Sequence, residues 1–433
     1  MLPISLCMIV KNEAEVLGRC LESVRGLVTE CVVVDTGSTD ETVAIARRHG
    51  ARVLTTTWQD DFSLARNLGL AAAQTPWILV LDADEVLEPG ASDALRAAIE
   101  GQHGGYLLPL ENMTGSGTDH ERQTVMLLRL FRNDSRIRYR GRVHEQVTAG
   151  LAEAGYTIGT ATARIRHDGY LASRVSARDK HARNLSLLQA TLADSPEDPY
   201  AWYQLAKTYL AMDRRDEGRG ALDACLELLS GQAEPETFAY YPKGFVLRGL
   251  LAEPADRLDL LARGLERLPD SAELHLQAGL AHREAGSLEA ARRHLERASD
   301  PAAFAPGVEP GEIAGRAALA LGEIAAQQGD GVGAIAHYRA AATLRPRELA
   351  PWLRLAGASM ERGDLGGAIA AYQAVVRIDP AEFSAQLALG TLYFETGDLG
   401  SALAALLAAD HLRPGLSDLR ALIQACRALG ANG

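Results

Sequence analysis

The chain has 433 residues, a formal charge of -12, a hydrophobic content of 47% and a charged content of 23%. That length suits two or three domains with sizeable cores, and the acidic balance excludes a general nucleic-acid binder, which needs a basic surface to meet phosphate. No apolar run approaches the ~20 residues of a membrane span, the start of the chain has no basic n-region or cleavage site, and the five cysteines show no short paired spacing, so a zinc site, a disulfide framework and a secreted location are not expected; free thiols in a reducing cytoplasm are.

Residues 4–10 (Ile-Ser-Leu-Cys-Met-Ile-Val) read as the first strand, followed by the polar turn Lys11-Asn12-Glu13. Residues 14–27 carry Val16, Leu17, Cys20, Val24 and Leu27 at helical spacing. Residues 31–34 form a second buried strand ending in Asp35-Thr36-Gly37-Ser38-Thr39-Asp40. Gly37 permits a tight turn, and Ser38, Thr39 or Asp40 caps a helix over residues 41–49. A short strand at 52–54 and a helix at 61–73, bearing Arg66 and Asn67, lead to Trp77-Ile78-Leu79-Val80-Leu81 and then Asp82-Ala83-Asp84-Glu85. The unbroken apolar run fits a strand covered on both faces. On extended backbone, Asp82 and Asp84 would point the same way. They read either as ligands for a divalent cation beside a phosphorylated ligand or as a turn cap and solvated charge.

Strands alternating with helices predict a doubly wound α/β sheet, with ligands along its carboxyl edge. No Gly-x-Gly-x-x-Gly or Walker loop follows the first strand. Further on, a helix is expected at 89–100, strands at 106–110 and 124–131, and a mobile loop at 112–121. Then come Arg132, Arg136, Arg138, Arg140, Arg142 and His144-Glu145, and residues 164–170 (Arg-Ile-Arg-His-Asp-Gly-Tyr) close the region. Trp58, Trp77 and Tyr106 suit either a sugar-stacking wall or the core.

From Val175 on the pattern is helical. Pro346, Pro380 and Pro414 are spaced 34 residues apart, as are Gly329-Asp330, Gly363-Asp364 and Gly397-Asp398. That is the tetratricopeptide period: paired helices, a turn glycine and a closing proline. Degenerate copies start near Pro196 and Pro269, and Trp202, Trp352 and Tyr372 read as helix-packing residues. The expected domains are 1–172, a linking helix at 173–195, and the all-α repeat array at 196–433.

Val10-Lys11-Asn12-Glu13, Val34-Asp35-Thr36-Gly37-Ser38-Thr39-Asp40, Ala65-Arg66-Asn67 and Leu81-Asp82-Ala83-Asp84-Glu85 fall in the order seen in family 2 inverting glycosyltransferases. This resemblance covers about residues 4–170. The tail resembles tetratricopeptide domains, and the fusion is similar to bacterial peptide glycosyltransferases. The resemblance implies a nucleotide-diphospho-sugar transferase fold with Asn12, Glu13, Asp35, Gly37, Ser38, Arg66, Asp82 and Ala83 toward the donor. It also implies Mn²⁺ or Mg²⁺ held by Asp82 and Asp84, with His167 as a third ligand. Thr36 departs from the acid pair common in the family, which puts contact with the donor's base in doubt.

Inverting displacement needs charge neutralisation on the leaving diphosphate and a base for the acceptor. Glu145 is the expected base, with Asp119 or Glu121 as runner-up. The structural alternatives are ion pairs of Glu145 with Arg140 or Arg142, and of Arg66 with Asp60 or Asp61. The leading function is transfer from a UDP-sugar to a peptide or protein acceptor recruited by the repeats, which also suit homodimerisation. A lipid-linked or polysaccharide acceptor, a non-catalytic scaffold and a sugar-1-phosphate nucleotidyltransferase are the competitors.

Overall fold

The computed structural model describes residues 1–114, 121–167, 174–231, 240–300 and 310–430, with backbone alone at 112–114, 121–123, 174–179 and 310. The chain divides into two compact units, Met1–Gly231 and Gln232–Gly433.

The first unit runs β1 (Leu2–Val10), α1 (Leu17–Ser23), β2 (Val28–Asp35), α2 (Thr42–Arg48), β3 (Arg52–Thr55), α3 (Phe62–Ala72), β4 (Trp77–Val80), β5 (Glu85–Leu87), α4 (Ala91–Glu100), β6 (Gly105–Thr114), β7 (Glu121–Arg132), α5 (Thr148–Glu153), β8 (Ile158–Thr160) and β9 (Ile165–His167). Among the described residues the strands form one sheet in the order β3-β2-β1-β4-β7-β6-β9-β5, with β8 also paired to β6. β3, β2, β1 and β4 are mutually parallel, which is the expected doubly wound half. β7 then runs antiparallel to both β4 and β6, so the sheet as a whole is mixed.

Side-chain alternation on β1 explains the layering. Ile4, Leu6, Met8 and Val10 pack with Leu17, Cys20 and Leu21 of α1 and Leu95 of α4. Cys7 faces the other way, into a cluster with Val32, Ile78, Val80, Leu70 of α3 and Phe131. Every residue of β4 is buried, as a strand covered on both faces requires. Trp77 is 2% exposed, lies under the Arg132 guanidinium at 4.2 Å, and with Tyr106 belongs to the core rather than to a sugar wall.

Two expectations change. The 112–121 segment is not loop throughout: β6 extends to Thr114 and β7 begins at Glu121, while 115–120, including Asp119, lies outside the described residues. The short β5, β8 and β9 were not anticipated. The β5–β9 ladder places Glu85 opposite His167 and so carries His167 to the acidic turn.

The first unit continues with α6 (Arg174–Asp194), α7 (Pro199–Ala211) and α8 (Arg215–Ser230). The second unit is α9 (Tyr241–Leu250), α10 (Pro254–Arg267), α11 (Ala272–Glu284), α12 (Leu288–Ala298), α13 (Pro310–Gln327), α14 (Gly331–Leu344), α15 (Leu349–Glu361), α16 (Leu365–Ile378), α17 (Phe383–Glu395), α18 (Leu399–Leu412) and α19 (Ser417–Gly430). The 34-residue period has a structural cause at each turn. Gly329, Gly363 and Gly397 have φ of 77°, 74° and 83°, and the aspartate after each caps the next helix. Asp330 and Asp364 accept from Gly333 N and Gly367 N at 2.9 Å, and Asp398 from Ser401 N at 3.1 Å. The prolines are read by one recurring contact: the side chain six residues later reaches the proline carbonyl. It is made by Trp202 to Pro196 at 2.8 Å, His275 to Pro269 at 2.9 Å, and Trp352 to Pro346 and Gln386 to Pro380 at 3.1 Å.

Candidate active site

At the carboxyl ends of β1 and β2 two turns are woven together. Asn12 adopts φ 57°, a conformation Asn tolerates. Its backbone N–H donates to Ser38 Oγ at 2.9 Å, and its side-chain Oδ1 accepts from Thr39 N at 2.7 Å. The buried Asp35 carboxylate accepts from Gly37 N and Ser38 N at 3.2 Å, with Gly37 at φ 106°. The expected cap from Ser38, Thr39 or Asp40 is not formed, since Glu41 stands at the N-cap of α2 without a side-chain bond; the Asp40 carboxylate instead accepts from Thr42 N at 3.0 Å and from Ala14 N at 3.2 Å. The carboxylate of Glu13 stands toward the acidic turn. Partial burial, then the charges of Asp84, Asp82 and Asp40, push it up to about 7.

The chain leaves extended geometry after Val80, and Glu85 N closes a turn onto Asp82 O at 3.0 Å. Asp82 and Asp84 therefore do not point together as on a strand. Asp82 faces two guanidiniums: Arg66 Nη2 at 3.0 Å from Oδ1 and Arg129 Nη2 at 3.2 Å from Oδ2. Partial burial opposes ionisation of Asp82, but Arg129 and Arg66 outweigh it and hold the carboxyl well below the usual carboxylate range. Asp84 instead meets His167, with Oδ2 to Nε2 at 3.0 Å. That hydrogen bond raises the imidazole pKa above its ordinary value against the opposing effect of burial. Ala83, between the two acids, is buried.

The two arginines extend this contact into a row of alternating charge. Arg66 Nε also bonds Glu145, and Arg129 Nη2 also bonds Glu85, giving Glu145–Arg66–Asp82–Arg129–Glu85. All but Asp82 are largely withdrawn from water. Arg66 thus pairs with neither Asp60 nor Asp61, and Glu145 with neither Arg140 nor Arg142. Arg140 is bonded to Glu153, and Arg142 to Asp194. Arg66 Nη1 and Arg129 Nε are buried without a hydrogen-bond partner, so donor capacity remains beside Asp82.

Asn67, next to Arg66 on α3, holds the backbone of Tyr139. Its side chain donates to Tyr139 O at 2.9 Å and accepts from Tyr139 N at 2.8 Å, pinning the segment that leads to Glu145. On the opposite side of α3, an open cleft is lined by Thr36, Thr56, Trp58, Asp61, Leu64 and Leu68. Leu64 and Leu68 of this lining are exposed, beside the threonines.

The expected site residues thus gather as a woven turn (Asn12, Asp35, Gly37, Ser38), a charge row (Arg66, Asp82, Glu145) and an acid–imidazole pair (Asp84, His167), with Glu13 facing the acids. Among the described residues no three His, Cys, Asp or Glu side chains converge as a metal cluster. One carboxylate with one imidazole still suits a hard divalent cation that takes its remaining oxygens from phosphate and water. Sequence reasoning missed Arg129 and Glu85. Their only signal is a lone arginine inside the apolar β7 run and a third acid after Asp84.

Residues 5–149 match the profile of glycosyl transferase family 2, and residues 310–348 and 356–397 match tetratricopeptide-repeat profiles. A TPR repeat-containing protein of Synechococcus elongatus is 44% identical over 206 residues, covering 46% of this chain and 50% of that protein. The SPbeta prophage-derived glycosyltransferase SunS of Bacillus subtilis is 26% identical over 217 residues, covering 48% and 50%. The match spans about half the length of these curated relatives. Among solved structures, the C-terminal part of a TPR repeat-containing protein from Cytophaga hutchinsonii aligns with 57% of this chain and 96% of its own, at 16% identity and a TM-score of 0.42. No helix among the described residues is long and apolar enough to cross a membrane.

Proposed function

We propose that this family 2 glycosyltransferase domain, joined to tetratricopeptide repeats, transfers a sugar with inversion from a nucleoside diphosphate, UDP by preference, to a peptide or protein acceptor in the cytoplasm. The observation that carries the reading is the charge row: one guanidinium ties Glu145 to Asp82, in the turn that also presents Asp84 to His167. The nucleoside would lie in the Thr36–Trp58 cleft beside the Asn12–Ser38 turns, with Asp35 shaping their backbone.

Asp84 and His167, flanked by Asp82, would hold Mn²⁺ or Mg²⁺, which when bound neutralises charge on the departing diphosphate. Arg66 and Arg129 have buried N–H groups left to orient the same anion. Glu145 takes the proton from the acceptor atom. That atom forms its bond to the anomeric carbon as the carbon–oxygen bond to the diphosphate breaks on the opposite face. Arg66 fixes the rotamer of Glu145 before the acceptor arrives. The repeats offer the extended surface that suits a peptide chain, and the five free cysteines suit a reducing compartment.

The test is a turnover screen of nucleotide-sugars with Mn²⁺ and Mg²⁺, with calorimetry of Mn²⁺ and UDP alongside. Donor hydrolysis or transfer by the wild type is expected, with metal–UDP binding lost in Asp84→Ala. Glu145→Gln should bind UDP normally and fail to transfer. Absence of turnover with every donor overturns the enzymatic reading; undiminished binding by Asp84→Ala removes the metal site, and undiminished transfer by Glu145→Gln removes the base.

A further inference from the structure

Glu145 sits at a turn that the sheet alone does little to hold. The turn closes on a bridge between Arg140 N and Gln146 O at 3.0 Å and Gln146 N and Arg140 O at 3.1 Å. Between those points Gly141 has φ 102° and His144 φ 55°. A non-glycine residue in that region persists only when its surroundings over-determine it. Much of that support comes from α6, the expected linking helix, and from α7, at the start of the expected repeat array.

Three residues before Glu145, Arg142 Nη2 meets Asp194 Oδ2, at the end of α6, at 2.6 Å. One residue after it, Gln146 Nε2 donates to the hydroxyl of Tyr200 in α7. The Tyr200 hydroxyl also lies within electrostatic reach of the Glu145 carboxylate, and the ammonium groups of Lys207 and Lys180 within reach of His144. The backbone joins in, because Phe62 N, at the start of α3, donates to Arg142 O at 2.8 Å. Arg183 of α6 stacks over the Phe62 ring at 5.0 Å, and Phe62 meets Trp58 edge-on at 4.7 Å. Trp58 in turn lines the cleft. One helical pair therefore touches both sides of the Glu145 turn and backs the wall of the cleft.

We propose that α6 and α7 are part of the catalytic apparatus, with Asp194 and Tyr200 as positioning residues that hold the turn bearing Glu145 against Arg66. The compact first unit, which runs through Gly231, includes both helices with the sheet. The alternative is an ordinary surface contact. Arg142 and Asp194 are substantially exposed, and such pairs contribute little to stability. Their use is therefore placement, since small displacements of a catalytic group cost far more rate than stability. This inference rests on Glu145 acting as the base.

The test uses the full-length protein and compares Tyr200→Phe, Asp194→Asn, their combination, and the charge swap Arg142→Asp with Asp194→Arg. Hydrogen exchange of the 138–147 backbone reads placement directly. The combined variant should exchange there roughly tenfold faster, with an unchanged melting temperature and unchanged binding of UDP with Mn²⁺. Turnover of the nucleotide-sugar that the wild type uses should show kcat falling roughly tenfold while KM stays put, and the charge swap should restore both readouts relative to Asp194→Asn. Wild-type exchange in the combined variant, or a swap that restores nothing, overturns the proposal. Normal turnover by Glu145→Gln would remove the base role and leave the exchange result standing, so the two failures are distinguishable.

Discussion

Glu145 and Asp82, from distant parts of the chain, are held by one guanidinium: Arg66 reaches Glu145 through Nε and Asp82 Oδ1 through Nη2. A rigid planar fork can serve both acids at once; an ammonium on a flexible stem meets one at a time. Arg66→Lys should therefore keep the fold and lose roughly 10²-fold in kcat with little change in donor KM. Arg66→Met, leaving both acids without that partner, should lower stability by about 3 kcal/mol. Steady-state kinetics with thermal melts check both, and wild-type kcat in Arg66→Lys would refute the bridging role.

Arg129 holds the other end of the row. Glu85 is 2% exposed, and burial pushes its carboxyl up to about 7 despite Arg129 beside it. A carboxyl whose folded pKa is raised binds a proton more tightly when folded. Its contribution is fully present below the unfolded value near 4.5 and is lost as pH rises through about 7. Removing Arg129 removes the counter-charge and raises Glu85 further. Arg129→Met should be destabilised mildly at pH 5 and clearly more at pH 8, measured as the difference in melting temperature from wild type. A penalty that does not grow with pH would mean that Glu85 does not depend on Arg129.

These pairings show where the sequence stops speaking. β1, β2 and β4 were legible because buried parallel strands are apolar runs, and the repeats because the turn glycine and capping aspartate recur every 34 residues. Asn12, Asp35 and Asp82 were legible as polar residues at strand ends. Which acid meets which base was not. Arg66 reaches Glu145 through a mixed sheet whose β7 reverses direction, and His167 reaches Asp84 through two three-residue strands too short for any periodicity. Arg129 lies inside an otherwise apolar strand, where local spacing does not identify its acidic partners.

The repeat turns carry a separable prediction. Asp364 caps α16 by accepting from Gly367 N at 2.9 Å, just after Gly363 at φ 74°. Asp364→Ala should cost about 1 kcal/mol by loss of the cap. Gly363→Ala should cost about as much by placing a Cβ in left-handed backbone. Both losses should appear in hydrogen exchange of α15 and α16, with Mn²⁺ and UDP binding unchanged. Unaltered exchange in both variants would refute the turn's structural role.

The final prediction concerns three histidines in α11 and α12. His275 Nε2 lies 2.9 Å from the Pro269 carbonyl, a contact that needs a proton on Nε2 and leaves Nδ1 of a neutral ring as acceptor. His294 Nδ1, 2.9 Å away, then donates to it, while the His294 ring stacks on His282 with centroids 5.4 Å apart. Partial burial, then His275, His282, Arg293 and Arg297, push His294 down to about 4. A base with a lowered folded pKa favours the fold above its ordinary value near 6.5, and that contribution is lost as pH falls from there toward 4. Protonating His275 would also set two N–H groups against each other. Exchange of α11 and α12 should therefore accelerate between pH 7 and pH 5, after correction for intrinsic rates. His294→Asn keeps a neutral donor and should flatten that dependence. If the substituted protein loosened on acidification as much as the wild type, the sensitivity would lie outside this cluster.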